Sequence, residues 1–217
     1  MNKDSIATYY KDFPLKKPET RLTRHELDLY YAVMEVKIER DRQSLAEFNP
    51  NLNVWEAVNL ARSELKHCSF LRWLLDPRGS HYQGDLFLKG FIERFSESSL
   101  KEIPKDELSS CNVKAEDSYD DAGRVDISIT GRSFIIVIEA KIDAPEREKQ
   151  LSDYRNISEN VVIVFLTKDG REPKTGKADL CVAWNDIGEI CKEFVKECKN
   201  PWLVELVRQY SIMSDTL

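Results

Sequence analysis

The chain has 217 residues, a length that suits one hydrophobic core or one core with helical additions. Apolar residues make up 41% and charged residues 32%, which is typical of a soluble globular protein, and no apolar stretch approaches the roughly 18 residues of a membrane span. The net charge of −6 argues against a nucleic-acid partner without excluding one, because phosphate binding depends on Lys and Arg. The cysteines include no C-x-x-C pair, which favours reduced thiols. Since residues 1–13 also lack the apolar stretch of a signal peptide, we expect a cytoplasmic protein with no membrane partner.

The first half of the chain is predicted to be helical after an extended arm at residues 1–20. Apolar residues recur at helical spacing in three segments, at residues 23–48, 54–75 and 83–95. The second of these segments ends at the turn signal Asp76-Pro77-Arg78-Gly79. Residues 96–110 are predicted to form a polar connection.

The second half of the chain carries the strand signals. Short apolar and β-branched segments predict strands at residues 112–116, 125–130, 134–140, 161–166 and 180–184. Gly131-Arg132-Ser133 is predicted to be the hairpin turn between the second and third strands. Helices are predicted from Pro145 to residue 154 or 156, at residues 186–198 and at residues 201–214. The fourth strand is apolar throughout, so we expect it at an interior position of the sheet.

The order of these elements indicates an α/β fold with a mixed central sheet flanked by helices. The strand–helix–strand step across residues 134–166 should be a right-handed parallel crossover. We expect one domain over residues 1–217, in which residues 54–184 form the core. The arm and helix of residues 1–50 and the helices of residues 185–217 either complete that core or provide a surface for a homodimer or another partner.

Three charged residues stand where buried strands should be apolar. Asp126 lies near the start of one strand of the predicted hairpin, and Glu139 and Lys141 lie at the end of the other. An E-x-K tripeptide alone means little, since the chain contains five, but only this one follows a β-branched run. Residues i and i+2 of a strand share a face, and a cross-strand neighbour can bring Asp126 beside the other two. Because buried charges are costly unless they are paired or bind a metal, we predict a metal-dependent hydrolytic site.

The hydrolysis of a phosphodiester suits these residue types. Mg²⁺ prefers oxygen ligands, which Asp126, Glu139 and the backbone carbonyl of Ala140 could supply. An ammonium group at Lys141 could position the attacking water or stabilise the transition state. From the spacing alone, a structural Asp–Lys or Glu–Lys pair at a sheet edge explains the same residues equally well.

The arrangement Asp126 … Glu139-Ala140-Lys141 resembles the catalytic core of the PD-(D/E)XK nuclease superfamily, which has the restriction-endonuclease-like fold. Val125 stands where the family name has proline. The resemblance implies that Asp126, Glu139 and the Ala140 carbonyl are metal ligands and that Lys141 is the catalytic amine. It also implies Mg²⁺ as the cofactor, with Mn²⁺ as a substitute.

A further match follows the core motif. The segment from Gln150 to Tyr154 resembles the Q-x-x-x-Y signature of nuclease domains in bacterial recombination exonucleases. The i, i+4 spacing places Gln150 and Tyr154 on one helix face. The resemblance implies that Gln150 supports the site or contacts substrate. For Tyr154, a direct substrate contact and a half-buried structural role are equally open.

An upstream segment resembles the helical start of one subgroup of this superfamily. It runs from Glu64 through His67 and His81 to Leu88. The resemblance implies that Glu64 is an additional metal ligand or a water-orienting acid, and the place of Glu64 on an otherwise apolar helix independently favours a function. For His67 and His81, a packed structural role is the commoner explanation. Together the matching segments cover residues 64–166.

The leading prediction is therefore a metal-dependent nuclease that hydrolyses phosphodiester bonds in nucleic acid, with DNA as the expected substrate. The alternative is a non-catalytic nucleic-acid-binding or protein-interaction module that keeps the nuclease fold. The complete set of core polar residues favours the nuclease. The acidic residues just before the motif would repel a phosphate backbone unless they face away, and they favour the alternative: Glu116, Asp117, Asp120 and Asp121. Nucleotide-triphosphate chemistry is not expected, since the sequence has no G-x-x-x-x-G-K-[ST] loop.

Overall fold

The computed structural model describes residues 24, 34–35, 37–42, 53–60, 62–120 and 122–217. By its contacts the chain divides into two compact units, Met1–Leu52 and Asn53–Leu217. In the first unit the described residues are helical, and they fall inside the helix predicted at residues 23–48. The rest of that predicted helix and the predicted arm at residues 1–20 lie outside the described residues.

The described part of the second unit contains helices and strands in the predicted order. Its helices are α1 (Val54–Ala57), α2 (Glu64–Leu75), α3 (Leu86–Arg94), α4 (Gln150–Tyr154), α5 (Trp184–Glu197) and α6 (Pro201–Ser214), with 3-10 turns at Ser99–Glu102 and Lys105–Ser110. Its strands are β1 (Asn112–Tyr119), β2 (Gly123–Thr130), β3 (Ile135–Ala140), β4 (Val161–Thr167) and β5 (Leu180–Ala183). None of the described helices has both the length and the apolar character that a bilayer crossing requires.

The single helix predicted at residues 54–75 is wrong, because the structure breaks it into α1 and α2. Asn59 adopts a left-handed backbone conformation with a φ of 51°, which does not continue a helix. The ammonium of Lys66 donates to the carbonyls of Val58 and Asn59, both at 2.8 Å, and so satisfies carbonyls at the end of α1. The break places Glu64 in the first turn of a helix instead of the middle of one.

The helix predicted to begin at Pro145 is also wrong in its first half, because α4 begins only at Gln150. Lys149 has a left-handed φ of 65°, which marks the boundary. The preceding loop is held by Glu146, whose carboxylate accepts the backbone N–H of Lys174 at 2.7 Å. A contact with the distant β4–β5 loop therefore replaces the local hydrogen bonds that a longer helix would have made.

The strands of the described residues form one mixed sheet in the order β1-β2-β3-β4-β5. β1, β2 and β3 are antiparallel neighbours, whereas β3, β4 and β5 run parallel. This arrangement confirms the predicted α/β fold, the β2–β3 hairpin, the parallel step from β3 to β4 and the interior position of β4. The last paired residues of β2 and β3 are Ile127 and Ile138. Their sequence neighbours Asp126 and Glu139 lie just beyond the end of this pairing. The two acids thus lie where the strands part.

The side chains of the sheet enter two hydrophobic clusters. The larger cluster holds Ile138 of β3 together with residues of α2, α3, α5 and α6. The smaller cluster holds Val137 of β3 with Leu151 and Tyr154 of α4. Because successive residues of a strand point to opposite faces, Glu139 shares the face of Val137 and lies on the side of the sheet that α4 covers.

Residues 96–110, predicted to be a polar connection, fold into two 3-10 turns that bury Leu100. Glu107 in the second turn accepts the backbone N–H groups of Arg132 at 2.7 Å and Ser133 at 3.0 Å. The segment therefore packs on the β2–β3 hairpin turn. Periodicity did not reveal it, because 3-10 turns are too short to show a repeating apolar face.

Candidate active site

Asp126 lies at the point where β2 and β3 separate. Its Oδ2 accepts a hydrogen bond from the backbone N–H of Ala140 at 2.9 Å, just beyond the last backbone pair of the two strands. The side chain thus accepts a hydrogen bond from a backbone N–H that lies beyond the β2–β3 pairing. This contact holds the half-buried carboxylate beside the end of β3, as the hairpin predicts.

The Glu139 carboxylate is 1% exposed and is contacted by two side chains. The hydroxyl of Tyr154 donates to its Oε2 at 2.5 Å. Its Oε1 is in ion-pair contact with the ammonium of Lys141 but accepts no hydrogen bond of regular geometry from any residue in the described part of the chain. Glu139 therefore keeps one buried oxygen whose hydrogen bonding is incomplete.

Glu64 reaches the same point from the first turn of α2. Its Oε2 accepts the backbone N–H of Ile142 at 2.9 Å, and its Oε1 lies 3.7 Å from Nζ of Lys141. The buried Lys141 ammonium is therefore flanked by Glu64 and Glu139. With Asp126, the structure brings together the four charged side chains that the sequence singled out.

The electrostatics of the site follow from burial and from the repulsion between its acids. Burial raises the pKa of Asp126, and burial together with the charge of Asp126 raises the pKa of Glu139. Burial alone would lower the pKa of Lys141, but the attraction of Glu139 and the other two acids outweighs it, so this pKa is raised. The site therefore contains acids that a cation would stabilise and an amine that stays protonated.

Gln150 and Tyr154 share one face of α4, as their spacing predicts, and they form a hydrogen-bonded chain to Glu139. Nε2 of Gln150 donates to the Tyr154 hydroxyl at 2.9 Å, and this hydroxyl also lies 3.1 Å from the carbonyl of Arg124. Tyr154 is fully buried, so the direct substrate contact predicted as one of its two roles does not fit the structure. Gln150 is half-buried and lies at the outer end of this series of hydrogen bonds.

A small, hard cation fits the carboxylate pair formed by Asp126 and Glu139. Within the described residues no set of three or more His, Cys, Asp or Glu side chains is placed to hold a metal ion. Mg²⁺, however, commonly takes only one or two protein carboxylates, and waters and substrate phosphate complete its coordination. The incompletely bonded Oε1 of Glu139 and the raised pKa values of both acids are the features that such a cation would relieve. Metal ligation stays a prediction for all four expected ligands: Asp126, Glu139, Glu64 and the Ala140 carbonyl.

His67 and His81 are both buried. Nδ1 of His67 lies 2.9 Å from the hydroxyl of Tyr210, and its ring packs against Trp184. Nε2 of His81 lies 2.9 Å from the carbonyl of Asp76, and burial lowers the pKa of this histidine. Both side chains have the packed structural role that was the commoner explanation for them.

A charged cluster that was not predicted lies beside the acids. Asp143 accepts hydrogen bonds from Arg62 through both carboxylate oxygens and from Nζ of Lys168 at 3.0 Å. Asp143 and Lys168 also line, with Lys141, a cleft of about 610 Å³. No pattern marks these residues, because each is a single charge outside the regular elements. The signal that could have found them is proximity along the chain, since Arg62 precedes Glu64 by two residues and Asp143 follows Lys141 by two.

Comparison with known protein families supports the interpretation of this site. A family model for the PD-(D/E)XK nuclease superfamily matches residues 52–211, a range that contains every site residue described above. The mixed sheet flanked by helices is consistent with the restriction-endonuclease-like fold that the motif implies. Comparisons with curated proteins and with solved structures gave no match.

Proposed function

Since the chain belongs to the PD-(D/E)XK nuclease superfamily, we propose that it is a catalytically active, metal-dependent nuclease. The proposed substrate is nucleic acid, with DNA expected, and the proposed cofactor is Mg²⁺, for which Mn²⁺ can substitute. The observation that carries the proposal is the convergence of Asp126, Glu139 and Lys141 at the end of β3. Three charged groups in one partly buried place cost folding free energy, which a role in catalysis accounts for.

Asp126 and Glu139 would bind the metal, and hydrogen bonds from neighbouring groups would keep these two carboxylates in place. Asp126, Glu139 and the carbonyl of Ala140 are the proposed ligands. A bound divalent cation supplies Lewis acidity, which activates the attacking water and neutralises charge on the phosphate. The Ala140 N–H fixes Asp126 and the Tyr154 hydroxyl fixes Glu139, so that neither carboxylate has to reorganise during the reaction. Gln150 supports this arrangement by donating to the same hydroxyl.

Lys141 acts on the attacking water or on the phosphate. Its raised pKa keeps the amine protonated at neutral pH, so it is a hydrogen-bond donor and a positive charge. As an ammonium it places a water for attack or stabilises the negative charge that develops on the phosphate oxygens. Glu64, 3.7 Å from this amine, orients the same water or adds a ligand oxygen.

A cleavage assay tests the proposal on single- and double-stranded DNA and RNA, with Mg²⁺, with Mn²⁺ and with a chelator. We expect cleavage only with metal, and we expect Lys141→Ala and Glu139→Gln each to lower the rate by about 10²-fold or more. Lys192→Ala is the matched control, because Lys192 on α5 is also an ion-paired lysine but lies outside the site. Circular dichroism of each variant shows whether its fold is intact.

A measurement of metal binding distinguishes an active nuclease from a non-catalytic module that has the nuclease fold. Calorimetric titration with Mn²⁺ should show binding to the wild type and weaker binding to Glu139→Gln. Cleavage that persists in chelator or in Lys141→Ala would contradict the proposal. A wild type that neither cleaves nucleic acid nor binds metal would favour the non-catalytic alternative.

A further inference from the structure

Three charged residues, the exposed Arg62 and Asp143 and the half-buried Lys168, form a cluster at the border of the candidate active site. Arg62 lies just before α2, Asp143 follows β3 and Lys168 follows β4. Nε and Nη2 of Arg62 donate to different oxygens of the Asp143 carboxylate. Nζ of Lys168 donates to Oδ1 of the same carboxylate at 3.0 Å. One acid therefore holds two cations.

The cluster is tied to the candidate catalytic residues through short connections. Arg62 is two residues from Glu64, and Asp143 is two residues from Lys141. Glu64 accepts the backbone N–H of Ile142 at 2.9 Å, which joins the two connections. Lys141 and Asp143 line the same cleft of about 610 Å³. Lys168 lines this cleft as well, so a polymer that enters it and reaches Lys141 passes two of the three residues of the cluster, while Arg62 is bound to one of them, Asp143.

The charges of the cluster do not balance. Hydrogen bonds from Arg62 and Lys168 lower the pKa of Asp143 to about 2, so this carboxylate is ionised at neutral pH. Two cations against one anion leave one positive charge, on a protein whose net charge is −6. The side chains of Arg62, Asp143 and Lys168 are 56%, 50% and 36% exposed, and ion pairs with such exposure contribute little to folding stability. Binding of an external anion explains the cluster better than stability does.

We propose that Arg62 and Lys168 bind a backbone phosphate of the nucleic-acid substrate, next to the phosphate that is cleaved. The forked N–H donors that Arg62 presents to a carboxylate match two oxygens of a phosphate equally well. Asp143 holds both cationic side chains in place in the free protein and is displaced by the phosphate when substrate binds. The inference rests on the proposed function, because only a nucleic-acid chain supplies a second phosphate beside the scissile one.

This phosphate site distinguishes a polymer from a small phosphodiester. A single phosphodiester such as bis(p-nitrophenyl) phosphate reaches Lys141 but leaves Arg62 and Lys168 without a ligand. Arg62→Ala should therefore raise the KM for an oligonucleotide and leave the hydrolysis of the small ester unchanged. A residue that merely supported the fold would affect both substrates alike.

Binding is tested by fluorescence anisotropy with labelled DNA and RNA oligonucleotides, in a Glu139→Gln background that prevents cleavage. We expect Arg62→Ala and Lys168→Ala each to weaken binding about tenfold. Each should also reduce the slope of log K against log salt concentration by about one, because one phosphate contact is lost. Arg208→Ala is the matched control, since Arg208 forms an exposed ion pair with Glu205 on α6. It should bind like the background protein.

Asp143→Asn tests the displacement step. It removes the anion that competes with phosphate, so it should tighten oligonucleotide binding, whereas unchanged or weaker binding would overturn this step. Arg62→Ala and Lys168→Ala variants that bind like Arg208→Ala would overturn the phosphate site. Metal-dependent cleavage by the wild type would leave the proposed function standing in either case. A wild type that neither binds nor cleaves any oligonucleotide would overturn both the phosphate site and the proposed function.

Discussion

Tyr154 holds the Glu139 carboxylate from inside the protein. Its hydroxyl donates to Oε2 of Glu139, while Oε1 is in contact with Lys141. A carboxylate that is held in this way keeps one orientation, and such a supporting contact would strengthen metal binding by Glu139 if it is the metal ligand that we propose. Because Tyr154 is fully buried, we propose that it is a positioning residue that acts through Glu139 instead of touching substrate.

We predict that Tyr154→Phe weakens Mn²⁺ binding and cleavage by about 10- to 100-fold, the usual effect of losing a support for a metal ligand. The variant leaves the core volume almost unchanged, so its free energy of unfolding should change by only about 1 kcal/mol. Calorimetry with Mn²⁺ measures the first effect and urea unfolding the second. Tyr210→Phe is the control, because its hydroxyl contacts His67 in the larger core. Equal metal affinities of wild type and Tyr154→Phe would show that this contact is not needed.

Asp126 should destabilise the metal-free protein, because burial and the charge of Glu64 raise its pKa and disfavour its charge. We predict that Asp126→Asn raises the free energy of unfolding by about 1 kcal/mol without metal, since it removes one of the three mutually repelling acids of the site and keeps an acceptor for the Ala140 N–H. Mn²⁺ should raise the melting temperature of the wild type but not of this variant. Calorimetric melting with and without Mn²⁺ measures both effects.

Asp179→Asn provides the contrast to Asp126→Asn. The Asp179 carboxylate accepts hydrogen bonds from Arg155 and from the backbone N–H of Ile163, so its charge is well compensated. The same substitution at Asp179 should therefore lower stability. If Asp126→Asn also lowered the melting temperature of the metal-free protein, repulsion between the site acids would not be the dominant effect.

At the scale of elements, the 3-10 turn at Lys105–Ser110 anchors the β2–β3 hairpin. The Glu107 carboxylate accepts two backbone N–H groups from the hairpin turn and the hydroxyl of Ser133 at 2.8 Å. Burial would raise the pKa of Glu107, but these hydrogen bonds outweigh it, so the pKa is lowered. The ionised acid therefore fixes the turn that sets the register of Asp126 against Glu139.

We predict that Glu107→Gln lowers the melting temperature at pH 7 and that the difference from wild type disappears in acid. A carboxylate whose folded-state pKa is lowered contributes stability that is present above its ordinary pKa of 4.5 and is lost as the pH falls through the lowered value. Melting curves between neutral pH and the acid range measure this effect. Glu102→Gln on the preceding 3-10 turn is the control, since its side chain is 78% exposed. A difference that persisted unchanged in acid would rule out the ionised form as the source of the stabilisation.

At the scale of the whole molecule, the site and both hydrophobic clusters lie within Asn53–Leu217, the second compact unit. We predict that a chain of residues 53–217 unfolds cooperatively and binds Mn²⁺ with the affinity of the full chain. Urea unfolding and Mn²⁺ calorimetry on both chains test this prediction. A fragment that failed to fold would show that residues 1–52 complete the core, one of the two roles expected for them.

The predictability of the fold differed between elements. Helix α6 was predicted at its observed bounds, because Pro201 begins it and its apolar face repeats within the segment. The break between α1 and α2 was missed, since the Lys66 side chain that satisfies the freed carbonyls has no special pattern. The late start of α4 was missed for a similar reason, because Glu146 bonds to a loop far along the chain.

The sequence by itself determined the order of the elements, the mixed sheet and the grouping of Asp126, Glu139 and Lys141. These follow from periodicities of two and 3.6 residues and from one hairpin, which are local properties of the chain. Only the tertiary structure decided that Tyr154 is buried against Glu139 and that Arg62 meets Lys168 across Asp143. Such contacts join residues far apart in sequence, and their geometry depends on how the helices and loops pack against the sheet.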